Sequence, residues 1–191
     1  MSYKIRIAKK DDAKELLEIY APYVENTAVT FECAVPSLTE FEERIVNTLQ
    51  KYPYLVAEIG GEIVGYTYAG PFKPRAGYDW SVETSIYVRE DHRGTGIGKE
   101  LYCELEKRLA AQNIVNVYAA VAYIDTGVSD GHLNQNSFRF HEHMGFTPVG
   151  VFRKCANKFG HWYDLMWMEK KLGGHRSDPD TVIPFSNLSD Q

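Results

Sequence analysis

The chain has 191 residues, with 21 Lys plus Arg against 26 Asp plus Glu, a formal charge of -5, and 44% hydrophobic and 13% aromatic residues. This length suits one domain around one core, the composition excludes wholesale disorder, and the acidic balance argues against a phosphate-backbone binder. No apolar run reaches a membrane span and no apolar leader segment is visible; Cys33, Cys103 and Cys155 lack a CxxC pair and read as reduced thiols of a cytoplasmic protein.

Residues 3–8 alternate as a short strand. Asp11 is placed to cap a helix with Leu16, Leu17, Ile19 and Tyr20 on its apolar face, and Pro22 interrupts that pattern before a loop through Thr30-Phe31-Glu32. Ser37-Leu38-Thr39-Glu40 is a capping box opening a second helix, with Phe41, Ile45 and Leu49 spaced by four. Residues 54–59 and 62–69 flank Gly60-Gly61 as a hairpin. A loop rich in Gly, Pro and aromatic residues spans 70–80, and a strand is predicted over 82–88. Ile97, Leu101, Leu105 and Leu109 mark the buried stripe of a long helix, followed by a buried strand at 116–122. A helix over 134–144 stops at Gly145, and two strands over 147–153 and 161–170 end the folded part. Residues 1–172 thus read as one α/β domain, with a mixed, mostly antiparallel sheet between helices, and 173–191 as a polar tail that either packs on the surface or stays mobile.

The sharpest local signal is Arg93-Gly94-Thr95-Gly96-Ile97-Gly98-Lys99, between a strand and a helix. Glycines let the backbone approach a ligand, and the amides that open a helix favour an anion, here beside two cations. A Walker A loop fails at Arg93 and Glu100, and a dinucleotide fingerprint fails because Gly94, Gly96 and Gly98 are one residue short of its spacing. What remains is Arg93-x-x-Gly96-x-Gly98, preceded by Tyr87-Val88.

That pattern resembles the pyrophosphate loop of the GNAT superfamily of N-acetyltransferases, which implies acetyl-CoA as co-substrate and no metal. Asn134-Gln135-Asn136-Ser137, with Phe138 to Phe146 after it, resembles the superfamily's later motif. By that resemblance Asn134 bonds the pantetheine arm, Ser137 neighbours the cofactor, and a splayed or bulged strand frees the Val88 N–H as oxyanion donor. His141 stands where the superfamily usually has Tyr. With residues 70–88 and 158–164, this resembles the phosphinothricin acetyltransferase branch, which implies a homodimer and places Phe31 and Tyr78 in the acceptor cleft. The longer 123–133 segment, with Asp125, Gly127, Asp130 and Gly131, departs from the branch beside that cleft.

Amine acetylation needs a base, because an α-amino group holds its proton to a pH of about 8. Glu83 is the candidate; alternation puts it on one face with Ser85 and Tyr87. His141 is the candidate to protonate the leaving thiolate or to share the base duty. His141 and His143, two apart on a helix, point to different faces and make a poor metal pair. Lys73, Arg75, Tyr78 and Trp80 form a cationic, aromatic loop suited to an acceptor carboxylate. The expected activity is transfer of acetyl to the α-amine of a small amino acid or analogue of the phosphinothricin or methionine sulfoximine/sulfone type. A protein N-terminus or a polyamine as acceptor, or a non-catalytic acyl-CoA sensor, are the other readings.

Overall fold

The computed structural model describes residues 3–125 and 130–188. Its elements run β1 (Lys4–Ile7), α1 (Ala13–Asn26), α2 (Leu38–Lys51), β2 (Tyr54–Ile59), β3 (Glu62–Pro71), β4 (Ser81–Val88), α3 (Ile97–Ala111), β5 (Asn116–Tyr123), α4 (Asn136–His143), β6 (Thr147–Lys158) and β7 (His161–Lys171). The strands form one sheet in the order β1-β2-β3-β4-β5-β7-β6, in which β4 and β5 are parallel and every other neighbouring pair is antiparallel.

Period-two alternation divides the side chains between two layers. Leu55, Ala57, Val64, Val82, Val117, Ala119 and Val121 face α3, whose Leu101, Leu105 and Leu109 stripe is fully buried. Each of those leucines contributes about 1.5–3 kcal/mol. Tyr54, Val56, Tyr66 and Tyr87 face the other way, against α1 and α2.

Several boundaries differ from expectation. Asp11 does not cap α1; Asp12 accepts the Lys9 N–H at 2.7 Å and is held by Arg6, which also pairs with Glu58 of β2. Pro22 lies inside α1 rather than ending it. Buried Leu16, Ile19 and Tyr20 before it, and Tyr23 and Val24 after it, pack on the sheet and offset the lost hydrogen bond. β6 extends five residues past Arg153, through a register shift between Phe152 and Ala156. The residues after Gly173 pack back on the domain: Phe185 is buried, and Gln112 at the end of α3 exchanges bonds with Ile183 in both directions.

Candidate functional site

The site begins as a fork in the sheet. Arg89 N–H bonds Val64 O and Phe72 N–H bonds Ser81 O, so the odd-numbered residues of β4 serve the β3 ladder. In an antiparallel pair the intervening residues turn their N–H and C=O groups to the opposite edge, here those of Ile86 and Val88. β5 pairs with β4 only along Ser81–Glu83, then follows β7 to Tyr123. Beyond Glu83 the two parallel strands part, leaving the Ile86 and Val88 edge facing a cleft. The register of β4 against β3 is continuous, so the bulge considered for Val88 is absent and the splay from β5 opens this edge. The Val88 N–H is not free either. Tyr23 Oη accepts it at 3.2 Å and donates to Val88 O at 2.6 Å. Tyr87 spends its backbone on the β3 ladder and its ring on Tyr20 and Tyr23.

The glycine-rich turn sits at the end of that edge. Gly96 occupies the residue before α3 with φ +92°, a left-handed conformation that a β-branched side chain resists. No side chain caps the helix there, so the N–H groups of Ile97, Gly98 and Lys99 lack helical acceptors and are available to an anion. A Cβ on Gly98 would stand 3.2 Å from the Phe140 ring, so glycine sets how closely α4 approaches α3. Thr95 Oγ1 ties the turn to His92 O at 2.7 Å. The Arg93 guanidinium lies over the Tyr23 ring at 4.7 Å, the same ring whose hydroxyl holds Val88, while Gly94 and Lys99 are exposed. Uncapped amides, two cations and an adjoining cleft fit a diphosphate with an extended arm.

The second half of the site differs from what its residue types suggested. α4 begins at Asn136, and Asn134 Oδ1 accepts the Asn136 N–H at 2.9 Å ahead of it. His141 is only 5% exposed, and both ring nitrogens are engaged. Nδ1 lies 2.7 Å from Ser137 O, which can only accept, so Nδ1 carries the proton. Nε2 then accepts from the Tyr102 hydroxyl at 3.0 Å, and Thr84 Oγ1 stands 3.3 Å from that hydroxyl. Burial pushes the His141 pKa down to about 4, against the opposing effect of the Ser137 bond. A neutral acceptor imidazole is a poor source of protons at neutral pH. The geometry therefore makes His141 a tie between α4, α3 and β4 instead of the expected acid.

On the α1–α2 face, Glu83 sits half-buried in a trough. Its β3 partner is Gly70, whose missing side chain leaves open space, and the next residue of its row is Ser85. Ala120 and Ala122 on β5 keep the floor low beyond Tyr118, the residue paired with Glu83. Burial raises the Glu83 pKa, and nearby Lys73 partly lowers it again. The Lys73 ammonium lies 4.9 Å from the Phe72 ring centre and 5.4 Å from that of Trp167. Phe72 in turn stacks on Tyr118 at 4.2 Å and meets the exposed Tyr78 edge-on. Arg75 is exposed and has no ion pair among the described residues. Phe31 stacks on Tyr163 at 6.2 Å, at the far end of the trough with Ala122 and Leu133. Trp80 is not gathered here: its indole N–H donates to Asp180 O in the C-terminal stretch, which turns it from acceptor wall into anchor. In the 123–133 segment, Asp130 accepts the His132 and Leu133 N–H groups and the Tyr163 hydroxyl, while Gly127 lies outside the described residues. Tyr23, Tyr102 and Thr84 carry no local signal, because their partners stand 18 to 65 residues away.

Residues 5–167 match the acetyltransferase (GNAT) domain family. The phosphinothricin N-acetyltransferase of Streptomyces viridochromogenes is 34% identical over 167 residues, 87% of this chain and 86% of that protein. The L-methionine sulfoximine/L-methionine sulfone acetyltransferase of Pseudomonas aeruginosa is 36% identical over 181 residues, 94% of this chain and 100% of that protein. Among solved structures, a GNAT superfamily phosphinothricin acetyltransferase from Sinorhizobium meliloti in complex with AcCoA superposes with a TM-score of 0.86 at 33% identity, covering 97% of this chain and 98% of that one. Forked sheet, uncapped glycine turn and domain match agree: the chain belongs to the GNAT acetyltransferase family and is an acyltransferase.

Proposed function

We propose that the protein transfers acetyl from acetyl-CoA to the free α-amine of a small amino acid or close analogue, by direct attack with both substrates bound. The observation that carries this reading is Glu83: a half-buried carboxylate of raised pKa, on the trough side of the strand whose edge faces the cleft. The amides of the turn from Gly94 to Lys99, with Arg93, hold the diphosphate, and the cleft edge at Ile86 and Val88 aligns the arm, with Asn134 and Ser137 at its other wall. Acetyl-CoA supplies the activated acyl group. As the C–N bond forms the C–S bond breaks, releasing coenzyme A as a thiolate that, with an ordinary thiol pKa of about 8.5, takes its proton from solvent. Glu83 takes the ammonium proton directly or through a water, and its raised pKa brings it closer to the amine it must deprotonate. An N–H on the cleft edge stabilises the developing oxyanion, a contribution of about 3 kcal/mol for one good donor. Ile86 offers that donor outside the Tyr23 clamp, whereas Val88 must exchange the Tyr23 hydroxyl for it.

Lys73 and Arg75 lie at the Phe72 end of the trough, and Phe31 closes the other. A cationic end suits an acceptor carboxylate and disfavours a polyamine. The relatives named for phosphinothricin and for methionine sulfoximine or sulfone support the same class. Exposed Val149, Phe152 and Trp162 along the β6 side of the sheet support a homodimer, and the three free cysteines support a reducing cytoplasm. The deciding experiment is a thiol-release assay with acetyl-CoA against amino acids, sulfoximines, polyamines and peptides, run on the wild type and on Gly96→Val. The wild type should turn over amino acids, and the variant should lose about five- to thirtyfold in coenzyme A affinity, the strain of a branched residue at this φ being on the order of 1–2 kcal/mol. Turnover confined to polyamines or peptides would overturn the acceptor class, and unchanged coenzyme A affinity would overturn the placement of the diphosphate.

A further inference from the structure

The β6–β7 hairpin carries a buried cation outside the acetyl-transfer machinery. Lys158, the last residue of β6, is only 5% exposed. Its ammonium donates to the carbonyls of Thr27 and Thr30, each at 2.8 Å, and lies 5.1 Å from the centre of the Phe159 ring. Burial lowers the Lys158 pKa against the opposing influence of Cys33 and Glu32, and Glu32 is itself paired with Arg44 at 2.8 Å. The charge is thus met by backbone dipoles. Thr27 is the C-cap of α1, where carbonyls without helical partners favour a cation. A buried ammonium is costly unless its protons are met, so the lysine and the two carbonyls hold one another in place.

The hairpin is shaped for this contact. Phe159 and Gly160 have φ of +53° and +77°, the doubly left-handed two-residue turn of a tight hairpin, which a bulky residue resists. The Phe159 ring stacks on His132 at 4.1 Å. His132 donates its Nδ1–H to Asn26 O at 3.1 Å, and its carbonyl accepts the Ala28 N–H at 3.0 Å. The end of α1 and the 27–30 turn are therefore gripped from two sides, and Tyr20 adds a bond to Thr30 Oγ1 at 2.8 Å.

The next residue after the gripped turn is Phe31. It stacks on Tyr163 and packs on the cluster of Ala28, Ala122, Leu133 and Tyr163. Alternation puts Tyr118, Ala120 and Ala122 of β5 in one row, and Tyr118 is the residue paired with Glu83. Phe72 covers Tyr118 at one end of the row and Phe31 stands at the Ala122 end. Those two ends are roughly 13 Å apart along the strand. The floor of the trough thus has a fixed length, and its far wall is only as firm as the turn that carries Phe31.

We infer that Lys158 is a positioning residue for the acceptor: its ammonium pins the 27–30 turn so that Phe31 closes the trough at a set length and longer acceptors are excluded. This rests on the amino-acid N-acetyltransferase reading above and adds the residue that fixes how long the acceptor can be.

The test compares kcat and KM for methionine sulfoximine and for buthionine sulfoximine, the same head group with a longer alkyl tail. The proteins are the wild type, Lys158→Met, Phe31→Ala and the double variant, with unfolding temperature and coenzyme A affinity as checks of folding. Lys158→Met keeps the stem and removes the donors. It should raise the methionine sulfoximine KM about tenfold, the size of a hydrogen bond to a charged group, with kcat and the acetyl-CoA KM kept. The wild-type preference for the shorter acceptor should fall in both single variants. In the Phe31→Ala background Lys158→Met should add nothing further, because residues acting through one contact are not additive. A lower unfolding temperature with unchanged KM and preference would make Lys158 a stabilising residue only and overturn the inference. Equal effects of Lys158→Met in the two backgrounds would overturn it as well, since the lysine would then act elsewhere than through Phe31. Should Lys158→Met fail to fold, Lys158→Arg keeps the charge but displaces the turn with a larger head group; an unshifted preference there, or in Phe31→Ala, refutes the wall. Failure of the wild type on every amino acid while a polyamine or peptide is acetylated would sink the acceptor class itself, an outcome distinct from a lost length preference.

Discussion

One sheet presents two chemically unlike faces. Against α3 and α4 it shows Val, Leu and Ala, close-packed around one buried chain of hydroxyls and imidazole, Thr84–Tyr102–His141. Against α1 and α2 it shows Tyr54, Tyr66, Tyr68 and Tyr87, with Ser85, Gly70 and Glu83 leaving space between them. The first face holds two helices at fixed distance, down to the Phe140 ring against Gly98, and so keeps the glycine turn rigid. The second keeps polar atoms next to cavities, where a carboxylate can stay half-wet and titrate. The same strand β4 serves both because successive residues alternate, so an ionisable group at 83 and a structural hydroxyl at 84 never compete for one environment.

That contrast breaks most sharply if Glu83 is ordinary. Glu83→Gln should lower kcat by about 10²- to 10⁴-fold, the usual contribution of a positioned base, with coenzyme A affinity kept; wild-type turnover at saturating acetyl-CoA and acceptor would remove Glu83 from the chemistry. The opposite face is probed by stability. The His141 pKa is depressed from 6.5 to about 4 in the folded state, so the unfolded chain takes up a proton first as pH falls. Its stabilising contribution is complete above about pH 6.5 and is lost toward pH 4, at up to about 1.4 kcal/mol per pH unit. Urea unfolding of His141→Asn across that window should show a shallower dependence than the wild type; identical slopes would mean that the histidine is not buried neutral. The smallest effect sharpens the trough. Removing the Lys73 charge takes away the influence that lowers the Glu83 pKa. Lys73→Ala should then move the acid limb of the kcat/KM profile to higher pH, by less than about one unit for so exposed a cation. A shift to lower pH would contradict the placement.

Legibility followed the range of the interaction. The α3 stripe and the hairpin at Gly60-Gly61 stand where their residues imply, and of the capping box at Ser37 the N-cap half forms: Ser37 Oγ accepts the Glu40 N–H, while the Glu40 carboxylate pairs with Arg44. The face that Glu83 shares with Ser85 and Tyr87 follows from alternation alone. The parts that were not legible depend on distant partners. Nothing near Tyr23 announces a backbone clamp on Val88, 65 residues away. A histidine on a short helix does not reveal that Tyr102 and a helix carbonyl will enclose it. Each tyrosine of the α1–α2 face, taken alone, is an ordinary β-former, and only the pairing of β2, β3 and β4 under α2 assembles them.

Trp80 bonds to Asp180, Asn113 to Thr181, Gln112 to Ile183 and Ser186 to Gln50. The ends of α2 and α3 and the root of the 72–80 loop are thus finished by residues near the close of the chain. During synthesis these groups must wait, solvated, until residues 180–186 leave the ribosome, with the seat for Phe185 open in the meantime. Messages truncated just before this point would encode a protein with every strand of the sheet yet without the latch that steadies its cationic loop.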